Sequence, residues 1–281
     1  MAQEGEADVA LLQEVGKQPG GLTGLTKYDG QSAEEWNSSK NWKLYNRWPA
    51  IFQLSDRVKV ERFQAVPSIC QSEIRNIRVS DIGTIAVARV IPYDDPDSSF
   101  MAVSMYARWP TTHASMRKSE IWAADEMTHC ILSDISPFTN DWKTTRHRIL
   151  AAADLNMIYN KDTQPFYSGK RGEYWLKLER TVWQRFNALG LEFLGPQYPN
   201  GRLAPSTPER PDTQSVPTYK TSHEKSPADS CRQLDYAFAS RGFHEQVSVH
   251  ALNELNEWGP SDHCRLLIEV KNSKTTKIKY R

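Results

Sequence analysis

Cysteine is scarce and unpaired in this sequence. Its four residues, Cys70, Cys130, Cys231 and Cys264, are spread over 281 positions with no Cys-x-x-Cys spacing. That pattern excludes the common structural zinc frameworks and fits reduced thiols in a cytoplasmic setting. Charge of one sign is also lacking. Lys plus Arg number 35 against 34 Asp plus Glu, a formal +1, so no global field draws the chain onto nucleic acid or anionic lipid, although a local basic groove stays open. No apolar run approaches the roughly eighteen residues of a membrane span. The acidic start, Met1 to Asp8, has neither the basic end nor the apolar core of an export signal. No His-Glu-x-x-His occurs, and His113, His129 and His147 read as surface or packing residues.

Against these absences, 25% charged residues, 39% apolar residues and nine tryptophans describe an ordinary folded protein. Length alone allows one large domain or two average ones. Strands are expected where β-branched and apolar residues run between breakers: Asp8 to Glu14, Ile51 to Val60, Ile82 to Pro92, Phe100 to Ala107, Arg148 to Asn156, Leu234 to Ser240, Val247 to Leu252 and Cys264 to Val270. The short turn at Asp94 to Ser99 makes a hairpin of the third and fourth. Helices are expected from Ser119, as N-cap, to Leu132, and from Gly172 to Leu189. In the second, Trp175, Leu178, Val182, Phe186 and Leu189 recur at spacings of three and four and Gly190 stands as the stop. Residues 19 to 48 read as a polar surface excursion pinned by Trp36, Trp42 and Trp48. Residues 195 to 232, with seven prolines, read as a substrate-side loop, and 271 to 281 as a frayed basic tail.

Four of these strands carry acidic, amide or imidazole groups at one end. Glu14 closes the first. Asp154 and Asn156, two apart on an extended segment, share a side. Asp235 opens the strand Leu234 to Ser240, and Asp262-His263 follow Gly259-Pro260 at the mouth of the last. An imidazole beside a carboxylate can bind a phosphate oxygen, orient a water or share a metal; it can equally be a capped turn.

In this order and at these separations, Gln13-Glu14, Asp154-x-Asn156, Leu234-Asp235-Tyr236 and Ser261-Asp262-His263 resemble the endonuclease/exonuclease/phosphatase superfamily, whose fold is DNase I-like. The resemblance spans nearly the whole chain. It implies a single α+β domain over residues 1–281, built as a four-layer α/β/β/α sandwich, and a metal-dependent phosphoric-ester hydrolase. Mg²⁺ is the implied cofactor, with Mn²⁺ possible, and Glu14 with Asp262 its implied ligands, since hard cations prefer carboxylate oxygen. His263 would contact the scissile phosphate or help activate water, Asp235 would fix its tautomer, Asp154 would orient or deprotonate the attacking water, and Asn156 would hold that geometry. Tyr106 ends a strand where many members have a histidine and the abasic-site endonucleases have a tyrosine. Its phenol could donate to a phosphate oxygen, or be simply a buried strand-end tyrosine.

The sequence departs from the family in several places. No Pro-Asn follows Tyr106, no Lys stands two residues after Glu14, and Ala153 replaces a glycine, which could crowd the turn. Only thirteen residues precede Glu14, without an Asn or a β-prone run, so the usual first strand and its metal-binding Asn are expected to be missing and metal binding to be weaker. Three functions follow. The first is an endonuclease acting on nucleic acid, with no membrane partner. The second is a phosphatase or phosphodiesterase for a small phosphoester. The third is a catalytically silent binding protein that retains the fold.

Overall fold

The computed structural model describes residues 7–15, 48–67, 76–80, 84–107, 123–139, 147–158, 169–206 and 213–271. Eleven strands and two α-helices lie in these residues: β1 (Val9–Val15), β2 (Trp48–Gln53), β3 (Val58–Pro67), β4 (Asn76–Val79), β5 (Ile85–Pro92), β6 (Phe100–Tyr106), α1 (Ala123–Ile135), β7 (Ile149–Asp154), α2 (Gly169–Ala188), β8 (Leu191–Gly195), β9 (Asp235–Ser240), β10 (Val247–Leu252) and β11 (Arg265–Val270). Seven strands form one mixed sheet in the order β4-β3-β5-β6-β7-β9-β8, while β1-β2 and β10-β11 are separate antiparallel pairs. The β5–β6 hairpin forms as the turn chemistry predicts.

Alternation along the strands decides which layer each residue serves. From β6, β7 and β9, Val103, Met105, Ala151, Ala153, Tyr236 and Phe238 point to the helical side. There they meet Ile131, Leu132 and Ile135 of α1 and Val182 and Phe186 of α2. Phe186 and Phe238 stack with centroids 4.0 Å apart at 2°. On the opposite face, Ala88, Val90 and Ala102 pack against Ile51 of β2 and Val9 and Leu11 of β1. Further along it, Leu150, Ala237 and Ala239 pack against Val247 and Val249 of β10 and Ile268 and Val270 of β11. The described residues therefore supply three successive layers of the expected α+β sandwich: helices, the large sheet, and a second β layer built from the two pairs.

The stop of α2 is the predicted one, Gly190 at φ 74°, with its N–H on the Asn187 carbonyl at 2.9 Å. α2 starts three residues earlier than the apolar stripe suggests, β4 and β8 were not expected, and the run Ile51 to Val60, read as one strand, is broken by a turn at Asp56-Arg57 into β2 and β3. Ser119, residues 19 to 47 and residues 272 to 281 lie outside the described residues. Cys231 and Cys264 are free thiols. No helix among the described residues is long and apolar enough to cross a membrane.

Candidate active site

Three neighbouring strands of the large sheet end in one row. Tyr106 lies opposite Asp154 across the parallel β6–β7 ladder, and Asp154 lies opposite Asp235 across the antiparallel β7–β9 ladder. Each shares the parity of residues that face the second β layer, so the three side chains project between the layers. Two carboxylates set side by side in a buried row repel one another, and each needs its own support.

Asp154 has that support from its own turn. Asn156 returns two hydrogen bonds to it, N–H to Oδ1 at 3.0 Å and Nδ2 to Oδ2 at 3.3 Å, and places Nδ2 on the Ala107 carbonyl at 3.0 Å. Asn156 sits at φ 49°, a left-handed conformation that Asn tolerates better than most residues. Ala153 does not crowd this turn, because its methyl belongs to the helix-side core. Burial first, then the charges of Asp235 and Glu14, raise the proton affinity of Asp154 well above the ordinary carboxylate range, while His263 and the Asn156 amide pull the other way.

Asp235 accepts the imidazole Nδ1 of His263 at 2.8 Å. Burial opposes the charged imidazole, yet the charge and hydrogen bond of Asp235, with Asp154 and Asp262 behind it, outweigh that effect and push His263 up to about 10. At neutral pH the ring is an imidazolium whose Nδ1–H is committed to Asp235. One ligand atom each from Asp154, Asp235 and His263 lie within 4.8 Å of one another. The ring of Tyr219 covers His263 with centroids 4.8 Å apart at 48°.

Glu14 reaches the site through a break in the β1–β2 register between Leu12 and Val15 and a positive φ of 53°. A local bulge turns its side chain out of the alternation. Tyr106 donates its hydroxyl to Glu14 Oε1 at 2.6 Å. One layer in, Gln13 donates to the Ser104 hydroxyl at 2.9 Å, and that hydroxyl donates to the Leu12 carbonyl at 2.8 Å. Thus the bulge is fastened to β6 on both sides. Asp262 is exposed and accepts from Ser261 at 3.3 Å.

By sequence, no family model and no curated protein matches the chain. By structure, the catalytic domain of Xenopus laevis APE2 superposes with a TM-score of 0.56 at 14% identity, covering 95% of this chain and 84% of that one. A 3'-5' exonuclease, NExo, from Neisseria meningitidis gives 0.52 at 15%, covering 94% and 89%. An AP endonuclease from Archaeoglobus fulgidus gives 0.51 at 14%, covering 94% and 88%. The fold is DNase I-like.

In this DNase I-like frame the expected site residues fall into three groups. Asp154, Asn156, Asp235 and His263 are brought into direct contact or a shared cluster. Glu14 and Tyr106 contact each other beside them, and the phenol serves the carboxylate in this structure. Asp262 follows the chain to the rim. Sequence reasoning missed Thr218 and Tyr219, which sit in the proline-rich stretch with no periodic signal to mark them. Among the described residues of that stretch, Thr213, Ser215, Val216, Thr218 and Ser230 are all at most 5% exposed.

Proposed function

We propose that this chain is a metal-dependent phosphodiester hydrolase acting on nucleic acid, most simply as an endonuclease. The observation that carries the reading is the Asp154–Asp235–His263 cluster. It sets a carboxylate with raised proton affinity within 4.8 Å of a charged imidazole, at the edge where three strands of a DNase I-like sheet end. Fold alone would not support an activity.

The chemistry assigned to these groups is in-line hydrolysis. Asp154 accepts a proton from a water whose oxygen attacks phosphorus. The outward N–H of the His263 imidazolium donates to a non-bridging phosphate oxygen and stabilises the charge that builds there. The ester P–O bond breaks, and the leaving oxygen takes a proton from solvent. Asp235 keeps the imidazole charged and oriented, and Asn156 keeps Asp154 aimed. The remaining donors at the site, the carboxylates of Glu14 and Asp262, are hard oxygens that suit Mg²⁺ or Mn²⁺ rather than a softer ion. A cation held by Glu14 with Asp262 would neutralise phosphate charge.

Nucleic acid is favoured as substrate by the structural neighbours, one named an AP endonuclease and another a 3' phosphatase, NExo, bound to a product DNA hairpin at a TM-score of 0.51. The near-neutral formal charge of +1 favours a second reading, a small phosphoester as substrate.

The test is hydrolysis of bis(p-nitrophenyl) phosphate beside nicking of supercoiled plasmid, each with Mg²⁺, with EDTA and with His263→Ala. Metal-dependent turnover lost in the variant is expected. A steep fall of DNA cleavage with salt marks phosphate-tracking binding, whereas salt-insensitive turnover of the small ester with intact plasmid moves the assignment to the second reading. A well-folded preparation with no turnover on either substrate would overturn both and leave a silent binding protein.

A further inference from the structure

Asp235 and His263 stand 28 residues apart and belong to different layers, β9 to the seven-stranded sheet and His263 to the approach of β11. A hydrogen bond of 2.8 Å across two layers tolerates little relative movement, because such contacts weaken steeply beyond about 3.2 Å. β9 and β11 share no ladder among the described residues. Something else must set their spacing.

One buried residue touches both sides. Thr218, 0% exposed, accepts the N–H groups of Leu234 and Asp235 on its hydroxyl oxygen, each at 3.0 Å. Its own N–H donates to the Arg232 carbonyl at 2.9 Å, and its carbonyl accepts from Cys264 N–H at 2.8 Å. Tyr219 forms backbone bridges to Arg232 and to His263, and Lys220 N–H donates to the Asp262 carbonyl at 2.8 Å. Asn253, also 0% exposed, anchors the brace from below, giving Nδ2 to the Pro217 carbonyl at 2.9 Å.

We propose that Thr218 is a positioning residue, its hydroxyl fixing the backbone of Asp235 against the chain that carries His263. The inference rests on the hydrolase reading for its kinetic consequence, and on geometry alone for its structural one. Nothing in the chemistry requires Thr218 to touch substrate. Its role is exerted through the Asp235–His263 pair. Replacing the hydroxyl by a methyl keeps the shape and leaves two buried amides without an acceptor, a cost relieved only if the β9 entrance shifts.

The experiment compares Thr218→Val, Thr218→Ser, Asp235→Asn and the Thr218→Val/Asp235→Asn double variant. The first readout needs no activity. A hydrogen-bonded imidazole N–H gives a low-field proton resonance that Asp235→Asn shifts and so assigns. Thr218→Val is expected to lose or shift this resonance in protein whose melting remains cooperative, and Thr218→Ser to restore it. The second readout is turnover of bis(p-nitrophenyl) phosphate. The kcat of Thr218→Val is expected to fall by on the order of 100-fold, as for a misplacement of about 1 Å, with KM little changed, and the serine variant to recover it. In the Asp235→Asn background, Thr218→Val should cost little more.

An unchanged resonance in folded Thr218→Val, or full additivity of the kinetic losses, would overturn the proposal. If Thr218→Val does not fold, failure of Thr218→Ser to retain the wild-type resonance would overturn it as well. Wild-type protein without turnover but with the resonance lost in Thr218→Val would sink the hydrolase reading and leave the brace standing.

Discussion

Asp235→Asn separates charge from shape at the centre of the site. Asn fills nearly the same volume and can still accept from Nδ1, so the sheet end should persist while the anion disappears. In the wild type Asp235 holds His263 near 10, so that at pH 7.5 only about one molecule in 300 carries a neutral ring. Without that anion, the burial that already opposes the charged ring faces only Asp154 and Asp262, and the midpoint returns toward the ordinary value of about 6.5. About one molecule in ten then keeps the imidazolium at pH 7.5. Turnover of bis(p-nitrophenyl) phosphate should fall about tenfold from loss of charge alone and recover as pH is lowered to about 5.5, where roughly nine rings in ten are charged again. The same variant lowers the proton affinity of Asp154, since Asp235 is one of the charges that raise it, while burial, the larger cause, continues to hold it up.

Stability follows the same linkage. A histidine whose folded pKa is raised contributes stability that is complete below its unfolded pKa, near 6.5, and lost as pH rises through about 10. The gap between wild type and Asp235→Asn, on the order of 5 kcal/mol from this group, should be widest below pH 6.5 and close toward pH 10 in thermal melts. An Asp235→Asn rate profile that parallels the wild type at constant ratio from pH 5.5 to 9 would refute the reasoning, because it would mean that the charge of His263 is not what Asp235 supplies.

Tyr106→Phe removes the donor to Glu14 Oε1 and is expected to cost about 1.5–3 kcal/mol, read as a lower melting temperature, with the loss shrinking in a Glu14→Gln background. Phe186→Ala opens the 4.0 Å stack on Phe238 and should lower stability by about 3–5 kcal/mol in urea titrations, with the urea m-value unchanged. Asp125, 3% exposed in the first turn of α1, has an Oδ2 with no hydrogen-bond partner among the described residues, and burial raises it to about 7. Its stabilising contribution is therefore complete below about 4 and lost as pH passes 7. Asp125→Asn should melt higher than wild type at pH 8.5, and a lower melting temperature there would show that the carboxylate has a partner. Addition of EDTA should abolish turnover without removing the Asp235–His263 contact, as followed by the imidazole N–H resonance.

The parts of the site that could be read from sequence are those in which strand alternation and chemistry coincide. Asp154-x-Asn156, Asp235 and His263 each close or open an apolar run, so the runs located the ends and the polar residues marked them. α2 was legible because Leu178, Val182 and Phe186 repeat on one face and Gly190 follows. Two kinds of information leave no such trace. Glu14 meets Tyr106 only through a bulge and a positive φ, which Gln13-Glu14-Val15 does not advertise. Thr218 works through backbone amides of residues 234, 235 and 264, and a partnership of that kind has no period. The proline content of residues 195 to 232 suggested a substrate-side loop, and it carries no period from which the burial of Val216 and Thr218 could be read. β8 was missed because Leu191-Glu192-Phe193-Leu194-Gly195 is too short to separate from a helix end by pattern alone.

The Asp235–His263 hydrogen bond bridges the two β layers, so damage elsewhere in the seam would register in it. Sliding one layer past the other by a single residue moves its atoms about 3.3 Å, more than the whole useful range of a hydrogen bond. On the proposed hydrolase function, turnover would act as a gauge of how the layers are seated. Substitutions in the apolar seam between them, at Leu150, Ala237 or Val249, can leave a fully folded molecule whose spectrum is unchanged and whose chemistry is silent.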